Sequence, residues 1–299
     1  MIRVGALYVH PLKGAAGIRV PRWPLDAFGP RLDRRWMIVD EHGTFVSQRS
    51  TPALARIRTS LEDDALVLEA EGQTLALPLE GPSRSGAGLR ARTVDIWGDG
   101  VEALPATDPP GVGDRWISRV LGRPLHVVRM PDDARRPVPV PPEGPLEGPG
   151  ADGTPPRVSF ADGYPLLVVS EASLNELNRR LRDAGESPVP MDRFRPNVVV
   201  TGTPPHDEDT WRDFNVGPVP FRGLKGCARC SVTTVDQATG ETSSEPLRTL
   251  ATYRRGPGPE GKVWFGQNAV HLELGELAEG MAVEVRRRGP PMGPPASPG

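Results

Sequence analysis

Cysteine is almost missing from this 299-residue chain: the only two stand together in Cys227-Ala-Arg-Cys230. That scarcity excludes several kinds of site. A structural zinc centre wants four nitrogen or sulfur ligands, and His10, His42, His126, His206 and His271 are scattered singly, with no paired spacing. An iron–sulfur cluster normally takes four cysteines, so the chain is expected to hold no iron–sulfur cluster of its own. A thioredoxin-like site needs its second cysteine to open a helix. Here Ser231 to Asp236 is β-branched and reads as a strand, with a turn over Gln237 to Gly240. On composition alone a metal contact, a redox pair, a reactive nucleophile and two inert buried thiols all stay open.

Other absences narrow the class further. No apolar run approaches the ~20 residues of a membrane-spanning helix. The opening Met1-Ile-Arg-Val-Gly-Ala-Leu-Tyr-Val is too short and too strand-like for a signal peptide. The expectation is a cytoplasmic protein with reduced thiols and no membrane partner. Lys+Arg total 36 against 38 Asp+Glu, the net charge is −2, and aromatics make up 5%. With no basic block and little to stack on, nucleic-acid binding is not expected. No Gly-x-Gly-x-x-Gly follows a strand, which removes a dinucleotide site. Lysine is scarce too: apart from Lys13, Lys225 and Lys262 every basic side chain is arginine. A lysine that persists marks a place where a compact ammonium is wanted, although Lys262 reads as loop solvation.

What is present is mostly strand. Ile2–Val9, Trp36–Val39, Ala65–Leu68, Thr74–Leu77 and Val94–Trp97 are short apolar or alternating runs bounded by Gly, Pro and Asp. They predict an antiparallel barrel or meander in the first ~100 residues. A helix capped by Asp114 and stopped by Gly122 follows, then a Pro/Gly-dense stretch from Pro131 to Arg157. The second half opens on a strand over Pro165–Val169. Ser170 caps a helix carrying Leu174, Leu177 and Leu181 on one face, and Asn197–Thr201 is a further strand. An acidic loop (Asp207 to Asp213) precedes the cysteines, and Val263–Phe265, Val270–Leu274 and Met281–Val285 close the fold. The fold class is therefore mainly β with a few helices (α+β). The divisions read as a β-barrel-like domain over 1–125, a connecting loop over 126–157, a second strand-rich domain over 158–287 (a β-barrel by the resemblance given next) and a disordered tail over 288–299.

Several segments occur in one order. They are Leu-Tyr-Val-His-Pro-Leu-Lys13, Leu-Asp-Arg34-Arg-Trp-Met, Phe-Ala-Asp-Gly-Tyr164-Pro, Ser-Glu-Ala-Ser-Leu174, Arg-Phe-Arg195-Pro-Asn197, Cys-Ala-Arg-Cys230-Ser-Val-Thr-Thr-Val-Asp, Glu-Pro-Leu247 and Phe-Gly-Gln-Asn268. Together they resemble the MOSC (molybdenum cofactor sulfurase C-terminal) family, from about Val4 to Val285. The likeness is greatest to the subgroup with an amino-terminal MOSC β-barrel domain, which includes mitochondrial amidoxime-reducing components and bacterial hydroxylaminopurine-detoxifying proteins.

The resemblance implies a molybdenum cofactor, in which a pterin dithiolene holds molybdenum and one protein thiolate completes the attachment. Cys230 matches that ligand position and by the resemblance would be the catalytic and metal-ligating residue. Cys227 matches a nearby position without the role, and Arg229 is expected to steady the Cys230 thiolate. Lys13, Arg34, Arg195 and Asn197 match cofactor contacts, with Tyr164 and Asn268 lining the pocket. A pterin phosphate suits such cationic donors. Gly14 stands where the family often has serine. The activity implied is two-electron reduction of N-hydroxylated compounds (amidoximes, hydroxylamines) to amines with release of water, a detoxification. Electrons would come from a separate ferredoxin- or cytochrome-type protein with its reductase. The alternative is a non-catalytic carrier of the cofactor or of sulfur.

Overall fold

The computed structural model describes residues 1–81, 90–107, 109–139, 155–256 and 261–293. An eight-stranded sheet organises the molecule. Its strand order is Val283–Arg288, Trp211–Val216, Val219–Arg229, Val263–His271, Leu166–Ser170, Val198–Thr201, Arg3–Val9 and Ile18–Val20. The first strand of the chain thus belongs to a sheet built mainly by the second half. Arg3–Val9 runs antiparallel to Val198–Thr201, with a bulge between Val4 and Ala6. Pairing also crosses in the other direction, because Glu276–Ala278 pairs with Arg22–Asp26.

Leu166–Ser170 and Val198–Thr201 lie parallel, which requires a crossover, and the helix Glu171–Asp183 supplies it. Ser170 caps that helix by accepting a hydrogen bond from the Ser173 N–H at 3.1 Å. Leu174, Leu177 and Leu181 bury its inner face against Phe194, Leu250 and Phe265. The remaining strands form a four-stranded sheet (Trp36–Val39, His126–Arg129, Asp99–Pro105, Arg92–Ile96) and two three-stranded ones. The fold is mainly β with three α-helices among the described residues, and its strand orders are open rather than closed into a cylinder.

Local chemistry overrides the sequence expectation at four places. Ser231–Thr234, expected as a strand, is a 3-10 turn. The Thr233 and Thr234 hydroxyls donate back to the carbonyls of Cys230 (3.0 Å) and Ser231 (2.7 Å), and these local bonds outweigh β propensity. Gly111, not Asp114, precedes the helix Val112–Leu121. Asp114 instead accepts from the Val127 N–H at 2.9 Å and lies 2.7 Å from His126 Nδ1. The two strands expected over 263–265 and 270–274 are one, Val263–His271. Gly266 within it has φ +79, and a Cβ there would sit 2.9 Å from the Val168 carbonyl, so the glycine marks a close approach rather than a break. The acidic stretch after His206 is a 3-10 turn running into the strand Trp211–Val216, with Glu208 and Asp209 buried. Asp209 pairs with buried Arg254.

The connector read as beginning at 126 starts with the strand His126–Arg129, and its segment 140–154 lies outside the described residues. Of the tail, 289–293 pack on the sheet, with the Met292 N–H donating to the Asp209 carbonyl at 2.9 Å. Residues 294–299 lie outside the description.

Glu208 is the least comfortable carboxyl in this interior. Its Oε1 accepts from the Ser170 N–H (3.0 Å) and the Ser173 hydroxyl (2.9 Å), but buried Oε2 has no partner. Burial, reinforced by neighbouring Asp209, pushes its pKa up to about 7 from an ordinary 4.5. A raised carboxyl pKa adds stability that is complete below the unfolded value and is lost as pH rises through the folded one. Between about pH 4.5 and 7.5 this group should therefore cost the protein on the order of 3 kcal/mol. Urea denaturation across that range should show a stability gap between wild type and Glu208→Gln that shifts in favour of the variant as pH rises. A pH-independent gap would remove Glu208 as its source.

Candidate cofactor-binding cleft

Every site residue marked in the sequence reaches one cleft. It measures about 930 Å³ with its open mouth included. Lys13 and Gly14 come from the turn after Arg3–Val9, and Arg34 from the turn before Trp36–Val39. Tyr164 stands two residues before the first residue of the strand Leu166–Ser170. Arg195 and Asn197 lie between the 3-10 turn Met191–Phe194 and Val198–Thr201. Arg229 ends the strand Val219–Arg229, Cys230 follows it, and Asn268 stands on Val263–His271 opposite Leu167 and Lys225.

Two of these arginines are held in unusual backbone. Arg34 has φ +48 and Arg195 φ +54, a region that costs a non-glycine residue roughly 1 kcal/mol or more. The surroundings enforce it. The Arg34 N–H donates to the His10 carbonyl at 2.9 Å, and its guanidinium donates to Asp33 Oδ2 (2.5 Å), Asn197 Oδ1 (3.1 Å) and the Arg195 carbonyl (3.1 Å). Arg195 Nη1 donates to the Ala15 carbonyl at 2.6 Å. Burial, and then the Arg34 guanidinium facing it, lower the Arg195 pKa to about 9. It stays charged at neutral pH.

Asn197 is saturated. Its Oδ1 accepts from Arg34 and from the Leu167 N–H (3.2 Å), while its Nδ2 donates to the Tyr8 carbonyl (3.2 Å) and Asp33 Oδ1 (3.1 Å). A carboxamide has no further capacity. The residue expected to contact a cofactor is thus a strut beneath Arg34. Behind it His10 is buried, and its ring is held neutral by burial and then by the charges of Arg34 and Arg195.

Lys13 donates to the Phe160 carbonyl at 2.8 Å and pairs with Asp162 at 2.5 Å. Burial lowers its pKa against the pull of Asp162. Arg229 departs from expectation: Nη1 donates to Cys227 Sγ at 2.9 Å and Nη2 to the Phe194 carbonyl at 2.7 Å, so it steadies Cys227 and not Cys230. The cause is strand alternation. Residues two apart share a face, and Cys230 lies past the strand end.

The cleft also contains Phe45, Ser47, Gln48, Arg49 and Asp162, none singled out in the sequence. The stretch 45–49 carries no periodic signal, whereas Asp162 sits inside a quoted motif. Gln48 and Gln237 exchange amide hydrogen bonds at 3.0 Å in each direction, binding the two halves beside Arg195.

Among the described residues no carboxylate reaches ion-pair distance of Arg49, Arg195 or Arg229, while Asp33 and Asp162 answer Arg34 and Lys13. The cleft is left with positive charge that an anionic ligand would neutralise. No group of three or more His, Cys, Asp or Glu among the described residues could cage a metal. The donor set, one thiol at Cys230 without a hydrogen-bond partner beside clustered cations, fits a metal that arrives with its own anionic chelator. Such a molybdenum–pterin group fits these residues.

Comparison with known proteins agrees with this chemistry. Residues 1–124 match the MOSC N-terminal beta barrel domain and residues 155–284 the MOSC domain. The chain is 31% identical to human mitochondrial amidoxime-reducing component 1 over 93% of its own length and 81% of that protein. The mouse counterpart is 33% identical, over 84% of this chain and 71% of that one. Rice molybdenum cofactor sulfurase is 31% identical over 93% of this chain, which spans only 33% of that larger protein. No helix among the described residues is long and apolar enough to cross a membrane. With both domain types matched almost end to end, the chain belongs to the MOSC family, in the branch that carries an amino-terminal MOSC β-barrel domain.

Proposed function

We propose that this protein is a molybdenum-cofactor-dependent reductase of N-hydroxylated compounds, amidoximes and hydroxylamines, fed by a separate electron-transfer protein. The observation that carries the reading is the meeting, in a single cleft, of the Cys230 thiol with five cations, of which Arg49, Arg195 and Arg229 have no ion pair among the described residues. The bound group would supply the two-electron redox chemistry. The chain's part is to hold and surround it. Cys230 offers the thiolate, and Arg34, Arg195 and Lys13 offer charge-assisted donors to a phosphate or pterin edge. Asn197 and Asp33 fix Arg34, and Tyr164 and Asn268 border the space left for substrate.

Both cysteines line this cleft, so neither is free to build a cluster elsewhere. Electrons would then enter from a ferredoxin- or cytochrome-type carrier with its reductase. The sulfurase match favours the second reading, a carrier that binds cofactor or sulfur at Cys230 without turnover.

Molybdenum-loaded protein with reduced viologen should convert benzamidoxime, two electrons and two protons to benzamidine and water. Absence of turnover on amidoximes and hydroxylamines would favour the carrier. Cys230→Ser should lose the thiolate–molybdenum charge-transfer band and the turnover, while Cys227→Ser retains most of both. Equal losses would point to a redox pair instead.

Arg34→Ala and Arg195→Ala should purify folded but molybdenum-poor. Each lost charged contact is expected to weaken cofactor retention by roughly 1.5–3 kcal/mol, about tenfold or more. Full loading in both variants, measured by elemental analysis, would remove these arginines from the site.

A further inference from the structure

We infer that Trp97, at the tip of a hairpin packed against residues of the cleft wall, is a platform for the planar aromatic part of the substrate, an assignment that rests on the reductase reading above. The hairpin Arg92–Ile96/Asp99–Pro105 turns through two residues, since Ile96 and Asp99 are paired. Both turn residues have positive φ, Trp97 +57 and Gly98 +91. This is the type I′ geometry, whose first position favours Asn, Asp or Gly. A bulky aromatic there is strained by roughly 1–2 kcal/mol.

Core packing does not compensate, because Trp97 is 51% exposed, the one aromatic among the large exposed apolar residues described. Nor is the ring loose. Its Nε1 donates to Asp162 Oδ1 at 3.2 Å, the Phe45 ring meets it edge-on at 5.0 Å, and the Arg49 guanidinium lies 4.3 Å from its centroid. Asp162 Oδ1 also takes the Lys13 ammonium, which in turn lies 5.1 Å from the Phe45 centroid. Trp97, Asp162, Lys13 and Phe45 therefore form a closed circuit of contacts. Three of its members line the cleft, and Trp97, outside that lining, packs against them.

A tryptophan kept in a disfavoured turn, exposed, yet clamped by cleft residues has a fixed orientation before any ligand arrives. Binding then costs little further ordering of the ring. The Arg49 guanidinium over the indole shows that the ring face accepts a delocalised group. An aryl amidoxime is flat, and its ring would add stacking that an alkyl analogue cannot. Such stacking is worth about tenfold in affinity. The surface is one indole and one phenyl ring wide, the scale of a small molecule.

Benzamidoxime and acetamidoxime share the reacting group and differ in the ring. Their dissociation constants, by calorimetry on protein purified with its cofactor, and their KM values should favour benzamidoxime about tenfold in wild type. Trp97→Asn should collapse that ratio towards one, through KM for benzamidoxime rather than kcat, while melting at an equal or higher temperature because Asn suits the turn. Trp97→Phe should restore most of the ratio. A ratio that persists in Trp97→Asn, or is absent from wild type, overturns the platform. If wild type shows the binding ratio but turns over neither compound, the platform stands and the reductase reading falls.

Discussion

The carboxamide of Asn197 is the point on which the site depends. Its four hydrogen bonds reach Tyr8 on the first strand, Asp33 and Arg34 in the turn before Trp36–Val39, and Leu167 on the neighbouring strand. One side chain thus joins segments separated by more than half the chain. It sits where the strand Val198–Thr201 begins, between its antiparallel partner Arg3–Val9 and its parallel partner Leu166–Ser170. A buried amide is costly unless every donor and acceptor is matched. Its saturation therefore fixes the register of three segments, and that register aims Arg34 at the cleft.

Electrostatics follow from that arrangement. Arg34 and Arg195 face each other in strained backbone with Asp33 as their nearest shared counter-charge, and burial with mutual repulsion lowers Arg195. An anion bound between them would relieve that repulsion. A ligand that binds only the folded state stabilises it in proportion to its affinity. The cleft is built from both halves, with Gln48 and Gln237 exchanging hydrogen bonds across it. A ligand held there would therefore touch both halves at once.

Much of this was legible in the sequence, for identifiable reasons. The helix Glu171–Asp183 has a capping serine and a leucine stripe, and Trp36–Val39 is a short apolar run between polar neighbours; both folded as read. The ordered motifs named the family before any coordinate. Misreadings cluster where short-range hydrogen bonds compete with propensity. The Thr233 and Thr234 hydroxyls turn an apparent strand into a 3-10 turn, and Asp114 serves the strand beside it instead of capping its helix.

Chemical type and spacing along the chain determined the mainly β class, the family and the set of charged and sulfur side chains. Partnership was decided only by the tertiary structure. Arg229 stands next to Cys230 in sequence, yet strand alternation hands its guanidinium to Cys227. Asn197 reads as a ligand contact, but its bonds to four distant groups leave it a strut. Trp97 reads as the end of a strand, and only folding sets it against Phe45, Arg49 and Asp162 of the cleft wall. Propensity acts over a few residues, whereas charge compensation and hydrogen-bond saturation act through space between segments that sequence order keeps apart.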